Sequence, residues 1–434
     1  MDVFDPQIHL AYAPPTTRFT FEDLKLQRSA TATEVAATVP FPILTPEGVR
    51  AYRRALFSPT VLENCVASPG PGTLTVRNAA AYSSFIQDFW THPETLQAIS
   101  DAAGVSLSVV MPTEMAHTNI QTSGSTVEDM VAELKVEPDT TKLPLTDEDR
   151  TYDPLKAKSV IPWHYDSYPY VCVIMLSDTE GMIGGQTFIK HGDGSAHEVA
   201  GPSIGYGVIL QGGEVQHLAA RARGVKERIS TITSFTANVP GLYDSSYITN
   251  IRTYAEREVL YKQWTQYRLA KMKREIEQLQ HELGETVGSI DVAQIQHFAQ
   301  AQIDYLKRTT RQLISDDEVA AALKKYGRPT IYGAPKMLEQ AETLPEFADC
   351  VASVTPREWL PHSPLWADLA ESRIAVNAGR TLESQRGRFM WAKERPYTMG
   401  DELLRQGLPE LLIAWLDATG LYALLQAPAQ PVNA

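Results

Sequence analysis

Cysteine, excess positive charge and long apolar runs are all scarce in this chain, and each shortage excludes something. Three cysteines, Cys65, Cys172 and Cys350, are spread over 434 residues. They are too few and too scattered for a disulfide framework or a zinc knuckle, which points to a reducing, cytoplasmic setting. Basic residues number 39 against 52 acidic ones, a formal charge of −13. Such a surface repels phosphate backbones and anionic lipid, so neither nucleic acid nor a membrane is expected as a partner. No apolar run approaches the ~18 residues that a membrane span needs. The most apolar late stretch, LPELLIAWLDATGLYALL, is interrupted by Glu410, Asp417 and Gly420 and reads as packed helix. The first residues, MDVFDPQIHLAYAPP, are acidic and broken by proline, unlike a secretory leader. GxxxxGK[ST] is missing, so the glycine-rich segments read as strand turns and not as a phosphate loop. Internal repeats and low-complexity tracts are missing too.

Hydrophobic residues make up 43% of the chain and charged residues 21%. Those proportions suit a folded protein, and the length suits about one to three domains. Three textures follow one another, at 1–104, 105–250 and 251–434. Residues 1 to about 40 look irregular. FPILTPEGVRAYRRALFS (41–58) reads as a strand and then a helix, with Thr45 as N-cap and Pro46 in the first helical position. SPGPGTL (68–74) reads as a loop, and 78–90 and 93–104 as helices, the second stopped by Gly104. From LSVVMPTEMAHTNIQT onward, β-branched residues alternate. The polar insertion 123–158 has a lid-like composition and contains one short helix, EDMVAELKVE. Short Val-, Ile- and Thr-rich runs separated by GMIGG, GDGS, GPSIG and QGGE then indicate an antiparallel sandwich or barrel. After about residue 250 the pattern turns helical: 254–284, 291–314, 315–327, and near 362–378 and 401–424. The fold class expected is therefore α+β, a β-rich centre between helical flanks.

The chemistry concentrates in PWHYDSY (162–168). On a strand, residues two apart share a face, so His164 and Asp166 would project an imidazole and a carboxylate into one space. His217, 51 residues after Asp166, lies in the strand-rich GGEVQHLAARA. Two histidines and one carboxylate on one face of a metal form the facial triad of non-haem Fe(II) oxygenases, leaving the opposite face open. Eleven residues beyond His217, ERISTITSF puts Arg228 and Ser230 two apart on a strand, a guanidinium and a hydroxyl suited to clamping a carboxylate. Arg221 and Arg223 compete for that role. Parity with Ser230 and distance from His217 favour Arg228.

His164-x-Asp166, then His217, then Arg228-x-Ser230 resembles, in spacing and order, the signature of the Fe(II)/2-oxoglutarate-dependent dioxygenase superfamily. GMIGGQTFIKHGDG (181–194) is similar to the hairpin that follows the first metal strand in many members. The resemblance covers roughly 105–240, and its texture also resembles a group of fungal oxygenases of this superfamily, some of which act in specialised metabolism, including enzymes that form aziridine rings on amino acids. It implies a double-stranded β-helix (jelly-roll, cupin-like) core with a helical N-terminal support and a helical C-terminal extension. It implies His164, Asp166 and His217 as Fe(II) ligands and catalytic centre, with Arg228 and Ser230 on the distal carboxylate of 2-oxoglutarate. O2 would be the co-substrate, with release of succinate and CO2 and hydroxylation, desaturation or oxidative cyclisation of a small molecule. Because Asp166 is retained, halogenation is not expected.

Further residues fall on the same expected surfaces. Met115, His117, Asn119 and Gln121 would share one strand face. Asn119 is a candidate for the co-substrate, and His117 and Gln121 for the substrate. Tyr168 shares parity with His164 and is a candidate pocket wall, while Trp163 and Cys172 read as core. The C-terminal helices could mediate a homodimer. Two rival readings stand beside the oxygenase. One is a mononuclear iron oxidase without 2-oxoglutarate, whose Arg/Ser pair holds the substrate's own carboxylate. The other is a non-catalytic metal-binding jelly-roll protein.

Overall fold

Alternation of side chains explains how the strands stack. In the computed structural model, Tyr170, Cys172 and Ile174 of one central strand join the core beneath the helices, while Val171 and Val173 pack on the opposite face with Ile189 and Val199. That strand is covered on both sides, so its sequence is continuously apolar. The structure describes residues 2–313 and 315, apart from 30, 31, 71, 158, 160, 200, 202, 243, 245, 249, 250, 252–254, 286–289 and 314. The helices expected at 315–327, 362–378 and 401–424 lie outside the described residues. The chain divides into two units, residues 1–244 with 253–263, and 245–252 with 264–434.

The first unit opens with α1 (Pro6–His9), β1 (Arg18–Thr20), β2 (Val35–Thr38) and β3 (Phe41–Pro42). Next come α2 (Pro46–Leu56), α3 (Pro59–Cys65), β4 (Val66–Gly70), β5 (Thr73–Val76), α4 (Ser84–Thr91) and α5 (Pro93–Ala103). Then β6 (Leu107–Val109) and β7 (His117–Gln121) precede the insertion, which holds α6 (Val127–Ala132) and α7 (Asp147–Arg150). The strands after it are β8 (Ile161–His164), β9 (Tyr170–Met175), β10 (Ile183–Gly184), β11 (Thr187–Lys190) and β12 (Ala196–Val199). The series ends with β13 (Tyr206–Leu210), β14 (His217–Ala219), β15 (Ala222–Arg223) and β16 (Arg228–Ala237).

These strands make three antiparallel sheets. The large one runs β1-β2-β13-β9-β16-β7-β5-β4, with β3 added on β13 and β6 on β16. The smaller runs β12-β11-β14-β8, and β10 and β15 form a short ribbon. Large antiparallel sheets with helices packed against them establish the α+β class. Strands from both sides of residue 104 therefore belong to one sheet. Residues expected to be irregular supply β1 and β2. The segment 68–74, expected as a loop, is a hairpin, because Thr73, Leu74 and Thr75 find partners on β7 that a local reading does not reveal.

The helices cover one face of the large sheet. Thr45 caps α2 by accepting from Gly48 N at 2.9 Å, with Pro46 in the first turn. Tyr52, fully buried on α2, shares a hydrogen bond with Thr231 Oγ1 of β16 at 3.0 Å and accepts from Trp90 Nε1 of α4 at 2.8 Å. The helix expected over 78–90 begins only at Ser84, since Ser83 caps it and a 3-10 turn occupies Ala79–Ala81. Between the large and small sheets lies a second core of Val171, Ile189, Val199, Val208, Leu210 and Val215.

The helix α8 (Arg257–Glu285) belongs to the second unit from residue 264 onward, and it is followed there by α9 (Val292–Arg311), which Asp291 caps. Trp264 Nε1 donates to Thr309 O at 3.0 Å. Arg268 donates to Thr309 Oγ1 at 2.9 Å, and its guanidinium lies over the Tyr305 ring at 3.6 Å. Among the described residues no helix is long and apolar enough to cross a membrane.

Candidate metal centre

His164 is the last residue of β8 and His217 the first of β14, and the register places them directly opposite each other. Ile189 of β11 sits opposite His217 and belongs to the core between the sheets. Cross-strand partners share a face, so both imidazoles point inward, with ring centroids 4.2 Å apart. Trp163, one position earlier, points outward and packs on the small cluster of Phe188, Leu218 and Ala220.

Asp166 arrives differently from the expectation. β8 ends at His164, so strand parity does not aim the carboxylate. Instead the chain turns, and Asp166 N donates to Gly212 O at 2.8 Å. A Cβ at Gly212 would collide with Asp166 Oδ2, so glycine in QGGE is what lets the carboxylate sit there. Oδ1 lies 3.4 Å from His164 Nε2 and Oδ2 lies 3.5 Å from His217 Nε2. One ligand atom from each of the three residues falls within 4.8 Å of the others.

The protonation states suit a cation. His217 Nδ1 lies 3.0 Å from Val215 O, and donating its proton there leaves Nε2 with a lone pair facing Asp166. Burial and the neighbouring His164 push His217 down to about 4, so the ring is neutral at physiological pH. Burial raises the Asp166 carboxyl, but His217 and His164 outweigh it and hold the group below its ordinary range. Asp166 Oδ2 is buried and accepts no hydrogen bond among the described residues. Two imidazoles and an under-satisfied carboxylate form a donor set that fits a divalent transition metal.

Arg228 opens β16. Its Nε and Nη2 donate to Gly185 O at 3.2 and 3.0 Å, and Nη1 donates to Ser230 Oγ at 3.1 Å. Gly185 has φ +77°, and a Cβ there would press on Arg228 Nε and Met182. The guanidinium is buried, and no carboxylate pairs with it among the described residues. Desolvation alone pushes its pKa down to about 10. An uncompensated buried cation is costly, and a bound anion would relieve that cost. The competing Arg223 is engaged elsewhere, with Asp149 at 2.8 Å and Glu148 at 3.3 Å.

β7 lies beside β16, with Gln121 opposite Arg228, Asn119 opposite Ser230 and His117 opposite Ile232. Ile232 packs on the core between the sheets, so all three β7 side chains face the same side as the imidazoles. Met115 leaves that face. Ala116 takes φ +59°, which breaks the alternation and sends Met115 into the helix-side core. Tyr168 is buried in the bend after Asp166, outside any strand, so its expected parity with His164 does not hold.

Two residues of this face carried no local signal. Arg77 follows β5, whose Thr75 pairs with Asn119, and its Nη1 lies 3.6 Å from Glu114 Oε1. Burial pushes Glu114 up to about 7, offset in part by Arg77 and reinforced by Asp166. His117 lies well below its ordinary range, through burial and then Arg77, with Asp166 opposing. Only cross-strand pairing brings these groups together.

Neither a protein-family model nor a curated protein matches the sequence. Comparison with solved structures finds an oxidoreductase of the 2OG-Fe(II) oxygenase family from Burkholderia pseudomallei, at 12% identity and TM-score 0.25, covering 41% of this chain and 74% of that one. HygX from Streptomyces hygroscopicus, solved with nickel, 2-oxoglutarate and hygromycin B, is 14% identical over 50% of this chain and 90% of its own, with TM-score 0.30. A prolyl-4-hydroxylase from Pseudomonas putida is 16% identical over 45% and 89%, with TM-score 0.26. At that distance the chemistry has to be read from this chain's own residues.

Proposed function

We propose that the protein is a non-haem Fe(II)/2-oxoglutarate-dependent oxygenase acting on a small molecule, and that its two facing sheets are a double-stranded β-helix core. One observation carries this reading. A convergent His164, Asp166 and His217 cluster shares an inter-sheet space with a buried arginine that has no carboxylate partner among the described residues.

His164, Asp166 and His217 would hold the iron, and Arg228 with Ser230 would hold the distal carboxylate of 2-oxoglutarate. Bound together, iron, 2-oxoglutarate and O2 supply the oxidising power, with succinate and CO2 as co-products. Arg228 fixes the far end of the co-substrate by charge, and Ser230 Oγ orients Nη1. Asp166, whose N–H is held by Gly212 O, keeps a negative charge beside the two imidazoles. Asn119, opposite Ser230, borders the co-substrate. His117, with Arg77 and Glu114 near it, forms a polar wall for the substrate. Hydroxylation, desaturation and oxidative cyclisation, as found in specialised metabolism, are all open to such a site.

The test is an anaerobic titration of the apo-protein with Fe(II) and then 2-oxoglutarate, following the weak visible charge-transfer band of the chelate. The band is expected in the wild type and should weaken in Arg228→Ala, where loss of a buried charge-assisted contact costs about 2–5 kcal/mol. Iron binding without a band would overturn the co-substrate assignment and favour an oxidase whose arginine holds the substrate's carboxylate.

A further inference from the structure

Gln121 is a buried polar side chain on this surface whose hydrogen bonding is incomplete. It is only 8% exposed, yet its Nε2 has no partner among the described residues. Its orientation is nevertheless settled. Oε1 accepts from Ala222 N at 3.1 Å. A backbone N–H can donate only to the oxygen, so a flipped amide would set donor against donor. Nε2 is thereby the end left over.

The same ribbon that orients Gln121 orients Arg228. Ala222 belongs to β15 and pairs with Gly184 of β10. The next residue, Gly185, donates its N–H to Arg221 O at 3.2 Å and offers its carbonyl to Arg228. One short element thus presents an N–H to the glutamine and a C=O to the arginine. Gln121 and Arg228 are direct cross-strand partners, so their Cβ atoms stand roughly 5 Å apart on one face. Leaving a buried amide N–H2 unpaired is costly, and so is leaving a buried guanidinium without an anion. A single carboxylate satisfies both.

We infer that Gln121 is a co-substrate residue: its Nε2 donates to the same carboxylate that Arg228 binds, so the pair selects a 2-oxo acid with a second carboxylate. This rests on the proposed function and reassigns Gln121 from the substrate to the co-substrate. Donor chemistry alone fits either the far carboxylate of 2-oxoglutarate or a carboxylate on the substrate, and the experiment separates them.

Full-length wild type, Gln121→Leu and Gln121→Glu are titrated anaerobically, after Fe(II) loading, with 2-oxoglutarate and with 2-oxopentanoate. The second acid presents the same chelating 2-oxo acid group but lacks the far carboxylate. For 2-oxoglutarate, Gln121→Leu is expected to raise the half-saturating concentration roughly 10- to 100-fold, the range for a buried hydrogen bond to a charged group. For 2-oxopentanoate it should change by less than about twofold. Gln121→Glu keeps the acceptor for Ala222 N and places a carboxylate beside Arg228. It should weaken 2-oxoglutarate even more and leave 2-oxopentanoate alone. Equal losses for both acids would show a disturbed ribbon and overturn the assignment. Unchanged 2-oxoglutarate binding alongside a normal wild-type band would overturn it alone. A wild type that binds iron but gives no 2-oxoglutarate band would overturn the proposed function, and this inference with it.

Discussion

Asp166 owes its position to a residue 46 places away in sequence, because the space beside Gly212 is where its carboxylate fits. Gly212→Ala is expected to displace that carboxylate and lower Fe(II) affinity by about 10-fold or more, as loss of a ligand's support typically does, without unfolding the protein. Equilibrium Fe(II) binding beside circular dichroism checks this, and unchanged affinity would show that Asp166 tolerates the intrusion. Asp166→Ala and His164→Ala should each abolish iron binding while leaving the fold. Glu114 offers a pH test. Burial raises its pKa from 4.5 to about 7, so the folded state binds more protons than the unfolded state between those values. Stability contributed by this group is therefore present at low pH and lost as pH rises through about 7. Glu114→Gln should flatten that decline, which urea melts across the pH range would reveal.

The junction of helix α2 with strand β16 is held by a buried ion pair. Arg53, fully buried, lies 2.8 Å from Glu227 Oε1 and also donates to Leu176 O at 2.7 Å and Val136 O at 2.9 Å. Glu227 immediately precedes Arg228, so this pair anchors the start of the strand carrying Arg228. Arg53→Met leaves Glu227 without its main counter-charge and is expected to cost about 3–5 kcal/mol, read from the urea midpoint. A loss below 1 kcal/mol would mean the carbonyls and solvent compensate. The insertion is tied to the β10–β15 ribbon at several points. Leu143 N donates to Gly224 O at 3.0 Å, and Arg223 pairs with Asp149 while stacking on Tyr152. Arg223 therefore serves the insertion.

For the molecule as a whole, ligand binding and stability should be linked. Mn(II) in place of iron, followed by 2-oxoglutarate, is expected to raise the melting temperature stepwise. A ligand at a hundred times its Kd adds about 2.7 kcal/mol if the unfolded chain does not bind it. Chelation by EDTA should reverse both steps, and Arg228→Ala should lose the second step only. A shift from 2-oxoglutarate without metal would show that chelation is not the mode of binding.

Much of this site was legible in the sequence because its signals are local or regularly spaced. His164, Asp166 and His217 announce themselves by residue type and order, and Arg228 with Ser230 by strand parity. The caps of α2 and α5 and the alternation of β7 and β16 could be read the same way. Chain order could not show what long-range pairing assembles. The hairpin β4–β5 is a strand pair because β7 accepts it, and Arg77 joins the polar wall only through that pairing. Asp166 reaches the histidines by a turn against Gly212 and not by parity. Met115 leaves its expected face because of one left-handed residue at Ala116. The sequence by itself determined which groups can bind a metal and an anion, since that depends on side-chain chemistry. Tertiary structure decided which of them share a space and which way Gln121 turns, since those depend on partners that only the closed sheets bring within reach.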